Sequence, residues 1–316
     1  MSALKILKHF LLLFVFIFLS AYSFYAIDFC MNSLGNFLHP NATASVSDSF
    51  QPEVAGNQTA EIPVILQRQE LNINAESFIS TRVDSSQQVV LIGKNQQKQL
   101  LIASLTKLMT AMVSLDNYDF SQNITISKEA VAQGGFFKAG EVFPVKTLLY
   151  AALIGSDNSA AYALSELMGK DKFFNLMNIK AKELGLLNTY YSNSVGFGLE
   201  NHSTAEDLVK LTKQILEKYS LIFQITLIPE FNVYDLNGKF HHKVLTTNQL
   251  LTDPSLNWRS AIIGGKTGNN EEAGECLILV LKYPDSKNYL ISVILNSKDR
   301  FGEMKNLIDW VNINSK

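Results

Sequence analysis

The spacing of apolar positions changes twice along the chain. Short β-branched and apolar runs at Phe78–Val83 and Gln88–Gly93 flank a polar turn and predict a β-hairpin. From Ser104 the spacing becomes helical, with Leu105, Leu108, Met109 and Met112 at i, i+3, i+4 and i+7. Residues 146–154, 159–168, 172–184 and 204–218 each carry a similar stripe. Strand patterns then return. Phe231–Tyr234 and Lys239–Leu245 flank Asn237-Gly238, a strong hairpin signal, and Arg259–Lys266, Glu275–Tyr283 and Tyr289–Asn296 follow as β-rich runs. A last helical stripe, Met304, Leu307, Ile308 and Val311, closes the chain. Strands at both ends with helices between predict an α/β domain whose sheet is built from the two ends, with a helical subdomain inserted. Groups from both halves then meet in one crevice.

Before this body the chain reads differently. Lys5, Lys8 and His9 precede an uncharged run, Phe10–Ile27, and Asp28 follows it, which predicts a signal anchor or signal peptide over 1–30 with everything after it exported. No clean Ala-x-Ala cleavage site is present, which favours an uncleaved anchor. Residues 31–66, rich in Asn, Ser, Thr, Ala, Gln and Pro, read as a flexible linker, so the catalytic domain is expected over 67–316. At 47% hydrophobic residues the body has material for a large core. With 27 basic against 29 acidic residues there is no basic footprint, so nucleic acid is not an expected partner. Cys30 and Cys276 stand far apart in unlike contexts, which speaks against both a disulfide framework and a zinc ligand set. His241-His242 read as alternate-facing, exposed neighbours on a strand rather than ligands, and no metal or cofactor is expected.

Three short stretches carry candidate chemistry. In ASLTKLMT, Ser104 and Lys107 lie on one helix face, within reach of each other. A serine hydroxyl is a weak nucleophile until a base takes its proton, and lysine serves as that base only when burial or neighbouring charge lowers its pKa. The bland alternative is a helix cap, and Ser2/Lys5 make the same pattern by chance. Gly155-Ser156-Asp157-Asn158 lies between two helical patterns, where Gly155 ends one helix and one of the next three residues caps the other. Gly264-Gly265-Lys266-Thr267-Gly268 reads as a strand edge whose lysine and threonine face a carboxylate. A phosphate loop is the rival, but Ser260 occupies the required glycine position and the sequence after it reads as turn and strand, not helix.

Ser-x-x-Lys, Ser-x-Asn and Lys-Thr-Gly, in that order, resemble the signature set of serine penicillin-binding proteins and β-lactamases. From about Asn74 onward the chain resembles the D-alanyl-D-alanine carboxypeptidases among the low-molecular-weight penicillin-binding proteins. GEVFPVKTLLYAALIGSDNSAA, FFNLMNIKAKELGLLNTYYSNSVGF and HSTAEDLVKLT are further points of likeness. The resemblance implies the transpeptidase-like fold, mixed α/β with a mainly antiparallel sheet. It implies Ser104 as nucleophile, Lys107 as base and Ser156 as proton relay. It assigns substrate binding to Asn158, Lys266, Thr267, Gly268 and Asn269, the backbone amides of Ser104 and Asn269 forming the oxyanion hole. The implied partners are a peptidoglycan pentapeptide ending in D-Ala-D-Ala, β-lactams as covalent inhibitors, and the membrane through the N-terminal segment. The implied location is the extracytoplasmic face of a bacterial cytoplasmic membrane.

There are departures from the family pattern. Asp157 stands where glycine is frequent, Asn193-Ser194-Val195-Gly196-Phe197 replaces Asn-Pro-x-Gly-Leu, and Asn270 replaces a usual threonine. Two other readings share the motifs. A class A-like β-lactamase needs a carboxylate for the deacylating water, for which Glu200 and Glu206 are the candidates; a wall-binding or sensor protein of low activity would keep the site without the turnover. For Lys107 to be a base, it must be desolvated on the Leu105/Leu108/Met112 side and repelled by Lys266.

Overall fold

The computed structural model describes residues 71–84, 87–283 and 288–314. The expected anchor and linker lie outside these residues. Among them no helix is long and apolar enough to cross a membrane.

The central sheet has five antiparallel strands. β1 (Ser77–Val83) and β2 (Gln88–Lys94) come from the start of the described chain; β9 (Ile262–Asn270), β10 (Gly274–Lys282) and β11 (Tyr289–Ser297) come from its end. Their order is β2-β1-β11-β10-β9, so the two ends join where β1 pairs with β11, Ile79 opposite Val293. This is the expected sheet of both termini. The run Cys276–Leu281 is continuously apolar because both faces are covered. Leu277, Leu279 and Leu281 turn to one side, against Met304, Leu307, Ile308 and Val311 of the terminal helix. Cys276, Ile278 and Val280 turn to the other, into the core shared with the helical subdomain. Glu303 of that terminal helix is buried and accepts from the backbone N–H groups of Asn74 and Ala75 and from Ser297 Oγ, pinning the entry to β1.

Between the halves, β3 (Leu100–Leu101) leads into the Ser104 turn. Next come α1 (Lys107–Asn117), β4 (Asn123–Thr125), α2 (Lys128–Ala132), β5 (Val142–Pro144), α3 (Val145–Ile154), α4 (Asn158–Glu166) and α5 (Lys170–Glu183). β6 (His202–Ser203), α6 (Ala205–Lys218) and α7 (Ser220–Thr226) complete the subdomain. The predicted helices are found within two residues at most ends; α2, α7 and the two small sheets β3/β6 and β4/β5 are additions. The hairpin of β7 (Glu230–Tyr234) and β8 (Phe240–Leu245) forms as expected but stands apart from the central sheet. The terminal helix is α8 (Arg300–Asn314).

Two expectations are corrected. Ser104 does not sit in the α-helix: Ala103–Thr106 is a 3-10 turn and α1 begins at Lys107. His241 and His242 do not face opposite sides. Val233 pairs with His242 and Tyr234 with Phe240, leaving His241 as the extra residue of a β-bulge, so both rings turn to the same side and meet through their Nδ1 atoms. His241 Nε2 hydrogen-bonds Glu141 at 3.0 Å, and both rings are half-buried rather than exposed.

Candidate active site

Ser104 is delivered by a strained turn. Ala103 preceding it has φ +45°, a left-handed conformation uncommon for a residue with a Cβ and found where surrounding structure imposes it. Gly196 packs on this turn, where a Cβ would come within 1.9 Å of the Ala103 carbonyl oxygen. Gly268 closes from the other side, its ideal Cβ position lying 2.9 Å from Ile102 O and 3.2 Å from Ser104 N. Only glycine lets strand β9 lie this close to Ser104. The cap reading of Ser104 fails, since neither the turn nor α1 has a side-chain N-cap hydrogen bond.

Lys107 is 1% exposed, with Leu105, Leu108 and Met112 fully buried around its turn. Its Nζ lies 2.7 Å from Ser104 Oγ, 2.7 Å from Asn158 Oδ1 and 3.0 Å from the Val195 carbonyl oxygen. Asn158 Nδ2 donates to Gln133 O at 3.1 Å, which fixes Oδ1 toward the lysine. Two of the three partners are therefore acceptors without a proton to give. A neutral amine has two N–H donors and one lone pair, so the donors go to Asn158 and Val195 and the lone pair faces the Ser104 hydroxyl. Burial pushes the Lys107 ammonium down to about 7, against the pull of the Asp157 carboxylate. The desolvation expected of the apolar side is thus the cause. The repulsion between the two lysines weighs on Lys266, which burial, then Lys107 and then Arg300 hold well below the usual lysine range.

In the second loop the bland and the chemical readings are both realised, by different residues. Asp157 is the cap: its Oδ1 accepts from Ala160 N at 2.8 Å and Ser159 Oγ at 2.6 Å, and its Oδ2 accepts from Phe136 N at 2.8 Å. That frees its neighbours. Ser156, held at φ +58°, accepts from Lys266 Nζ at 2.9 Å, and Asn158 reaches Lys107. Lys266 Nζ also donates to Thr267 O at 2.8 Å. Lys266, Thr267 and Gly268 are buried on β9 and Asn269 is exposed at its end, so the expected strand continues through the whole motif to Asn270. Contacts thus bring Ser104, Lys107 and Asn158 together, join Ser156 to Lys266, and set Gly268 against Ser104 N, while no contact ties the exposed Asn269 side chain to them.

Motif reading missed several groups. The Val195 carbonyl is invisible to it, being backbone. It is held by Asn193, whose Oδ1 accepts from Val195 N and Gly196 N, and by Asn201, which links Asn193 O to Thr106 Oγ1. Asn270, the departure from the family pattern, spans to Gly196 O at 3.3 Å. Thr247 hydrogen-bonds Thr267 through their hydroxyls. Arg300 donates Nη1–H to Gly268 O at 2.8 Å, and its Nε is buried without a partner. Glu206 is engaged by Gln97 and Lys210, Glu200 is exposed, and the carboxylate whose charge bears on Lys107 is the cap Asp157. No hydrogen bond or ion pair among the described residues joins Glu200 or Glu206 to Ser104, Lys107 or Asn158.

A mainly antiparallel sheet with an inserted helical subdomain, and a serine paired with a desolvated lysine between them, define a protein of the penicillin-binding fold class. The chain belongs to the D-alanyl-D-alanine carboxypeptidase family, peptidase S11, whose sequence profile matches residues 64–299. It is similar to a D-alanyl-D-alanine endopeptidase of Pseudomonas aeruginosa, 36% identical over 197 residues that cover 60% of this chain and 62% of the relative. It is also similar to a D-alanyl-D-alanine carboxypeptidase of Bacillus subtilis, 30% identical over 256 residues, covering 76% and 63%. The chain thus spans less than two thirds of the length of either relative. Among solved structures, the Streptomyces K15 DD-transpeptidase superposes with a TM-score of 0.66 at 25% identity, covering 76% of this chain and 97% of that one.

Proposed function

We propose that this protein is a serine-type D-Ala-D-Ala carboxypeptidase acting on peptidoglycan stem peptides, and that β-lactams acylate it at the same atom. The observation that carries this reading is the buried Lys107 Nζ 2.7 Å from Ser104 Oγ, with the acceptors Asn158 Oδ1 and Val195 O as its other partners, so that the lone pair of the neutral amine is left for the serine hydroxyl. Ser104 Oγ attacks the carbonyl of the penultimate D-Ala while Lys107 takes its proton. The backbone N–H groups of Ser104 and Asn269 stabilise the oxyanion, contacts of a kind worth about 3–4 kcal/mol of barrier. As the C–N bond breaks, the leaving amine takes a proton relayed through Ser156, which Lys266 orients. Lys266 and Thr267 receive the terminal carboxylate. Water then attacks the acyl-enzyme, releasing the shortened peptide and restoring Ser104. A β-lactam opens by the same attack, but its leaving nitrogen stays tethered.

The reading extends to location. Phe10–Ile27 serves as an uncleaved anchor that holds the domain on the extracytoplasmic face, a reading supported by Lys5 and Lys8 before the run. N-terminal sequencing of membrane-fraction protein is expected to begin at the natural start; a sequence beginning near Phe24 refutes the anchor. The activity itself is tested by release of free D-alanine from a synthetic peptide ending in D-Ala-D-Ala. Release that disappears in Ser104→Ala supports the proposal, and no release by folded wild type overturns it.

A further inference from the structure

The peptide bond that joins Gly268 to Asn269 carries two groups with different tasks. Its N–H is the Asn269 donor assigned above to the oxyanion, and its carbonyl is Gly268 O, which accepts from Arg300 Nη1 at 2.8 Å. The peptide is trans, so these two groups lie on opposite edges of one plane, and whatever holds the carbonyl also sets the direction of the N–H. The same peptide lies against the Ser104 turn. A Cβ on Gly268 would stand 3.2 Å from Ser104 N, the other assigned donor.

Arg300 is committed to this contact and to little else. It is partly buried at the start of α8, its own N–H donates to Glu275 Oε2 at 3.0 Å, and Glu275 pairs with Asn269 across β9 and β10. The guanidinium carbon lies 4.8 Å from the centroid of the Phe301 ring, which supports the fork from one side. Among the described residues the guanidinium makes no ion pair, and its Nε is buried without an acceptor. Holding a cation this way is costly, and a neutral donor would clip one carbonyl without that cost. The charge also bears on the site itself: burial, then Lys107 and then Arg300 keep the Lys266 ammonium well below the usual lysine range. A cation at the oxygen end of a peptide draws electron density toward that oxygen and leaves the N–H more positive, a stronger donor to a developing negative charge. That gain is realised only as the oxyanion forms, which lowers the barrier rather than tightening the ground state.

Resting on the assignment of Ser104 and Asn269 above, we propose that Arg300 is a positioning residue for the oxyanion hole, gripping and polarising the Gly268–Asn269 peptide from the edge opposite its N–H. It acts through the Asn269 N–H and adds no chemical step.

The test uses full-length protein and two readouts. One is steady-state release of D-alanine from a short peptide ending in D-Ala-D-Ala. The other is inhibition by an arylboronic acid that carries no carboxylate, whose boron takes up a serine oxygen to give a tetrahedral anion. Arg300→Met removes the charge and the donor and keeps an unbranched stem. It is expected to lower kcat about ten- to fiftyfold with KM within about twofold of wild type, less than the hundredfold or more of deleting an oxyanion donor outright. Boronate inhibition is expected to weaken by a similar factor. Arg300→Lys, which restores the charge and a donor, is expected to recover much of both losses. Arg300→Gln, with a donor and no charge, is expected to lose about fivefold in both readouts, and it carries the test if Arg300→Met does not fold. A rise in KM with kcat unchanged, a loss confined to ligands with a carboxylate, wild-type behaviour of the Met and Gln variants, or no recovery in Arg300→Lys overturns the proposal. Absence of both D-alanine release and penicillin adduct in wild type instead overturns the underlying assignment of activity.

Discussion

Replacing Lys107 by arginine preserves the charge and removes the lone pair. A guanidinium stays protonated at any working pH and cannot accept the serine proton, whereas the buried Lys107, with its pKa near 7, is about half neutral at pH 7. In wild type the neutral fraction rises from about a tenth at pH 6 to about nine tenths at pH 8, so the acylation rate with a penicillin should climb roughly ninefold across that interval and then level off. The same shift has a signature in stability. The unfolded chain holds the lysine proton up to about pH 10.5 while the folded chain releases it near 7, so between these values the unfolded state binds more protons and stability rises with pH. The full window corresponds to roughly 5 kcal/mol, with about 1.4 kcal/mol for each unit of pH. Lys266, displaced in the same direction, adds to this slope. Cys276, whose thiol burial pushes up to about 11, opposes it from about pH 9, and Tyr118 and Tyr191, whose phenols burial also pushes up, oppose it above about pH 10, so the clean interval is about pH 7–8.5. Stopped-flow acylation and urea unfolding at half-unit steps of pH measure both. Lys107→Arg should lose acylation by at least a thousandfold, and Lys107→Met should lose acylation and part of the stability slope together. Normal acylation of Lys107→Arg, or a rate flat between pH 6 and 8, refutes the assignment of the base.

Other consequences follow from the same contacts. Thr267→Val should lower kcat/KM for a peptide ending in a D-Ala carboxylate by tenfold or more while barely changing the poor rate on the corresponding amide; equal losses would make the motif structural. Gly196→Ala forces a Cβ onto the Ala103 carbonyl oxygen, so it should lower the melting temperature and slow acylation, and an unchanged variant would contradict the packing of that turn. Asp157→Ala removes the helix cap and leaves the Phe136 and Ala160 N–H groups without their acceptor, an expected loss of about 2–4 kcal/mol by urea unfolding, against under 1 kcal/mol if the contacts are incidental.

Much of this arrangement is legible in the sequence because its signals are local. An apolar stripe needs only its own helix, which is why α1, α3, α5, α6 and α8 are readable from spacing. The three polar motifs are readable because the resemblance supplies their order. What is not legible depends on contacts between distant segments. The 3-10 turn at Ser104 is held by Gly196 and Gly268, far along the chain, and the contacts of Lys107 are completed by the Val195 carbonyl, which no side-chain pattern announces. The bulge at His241 follows from cross-strand register, a property of two strands rather than one. Thr247 and Arg300 lie in no motif, and only pairing with β9 brings them to Thr267 and Gly268.

The central claim is that Ser104 and Lys107 act as one nucleophilic unit, and the most direct test is the intact mass of the protein after brief exposure to a penicillin, followed by peptide mapping. The account predicts one adduct on wild type, mapped to Ser104, and none on Ser104→Ala or Lys107→Arg, with all three proteins folded by circular dichroism. An adduct on any other residue, or one of normal yield on Ser104→Ala, contradicts it.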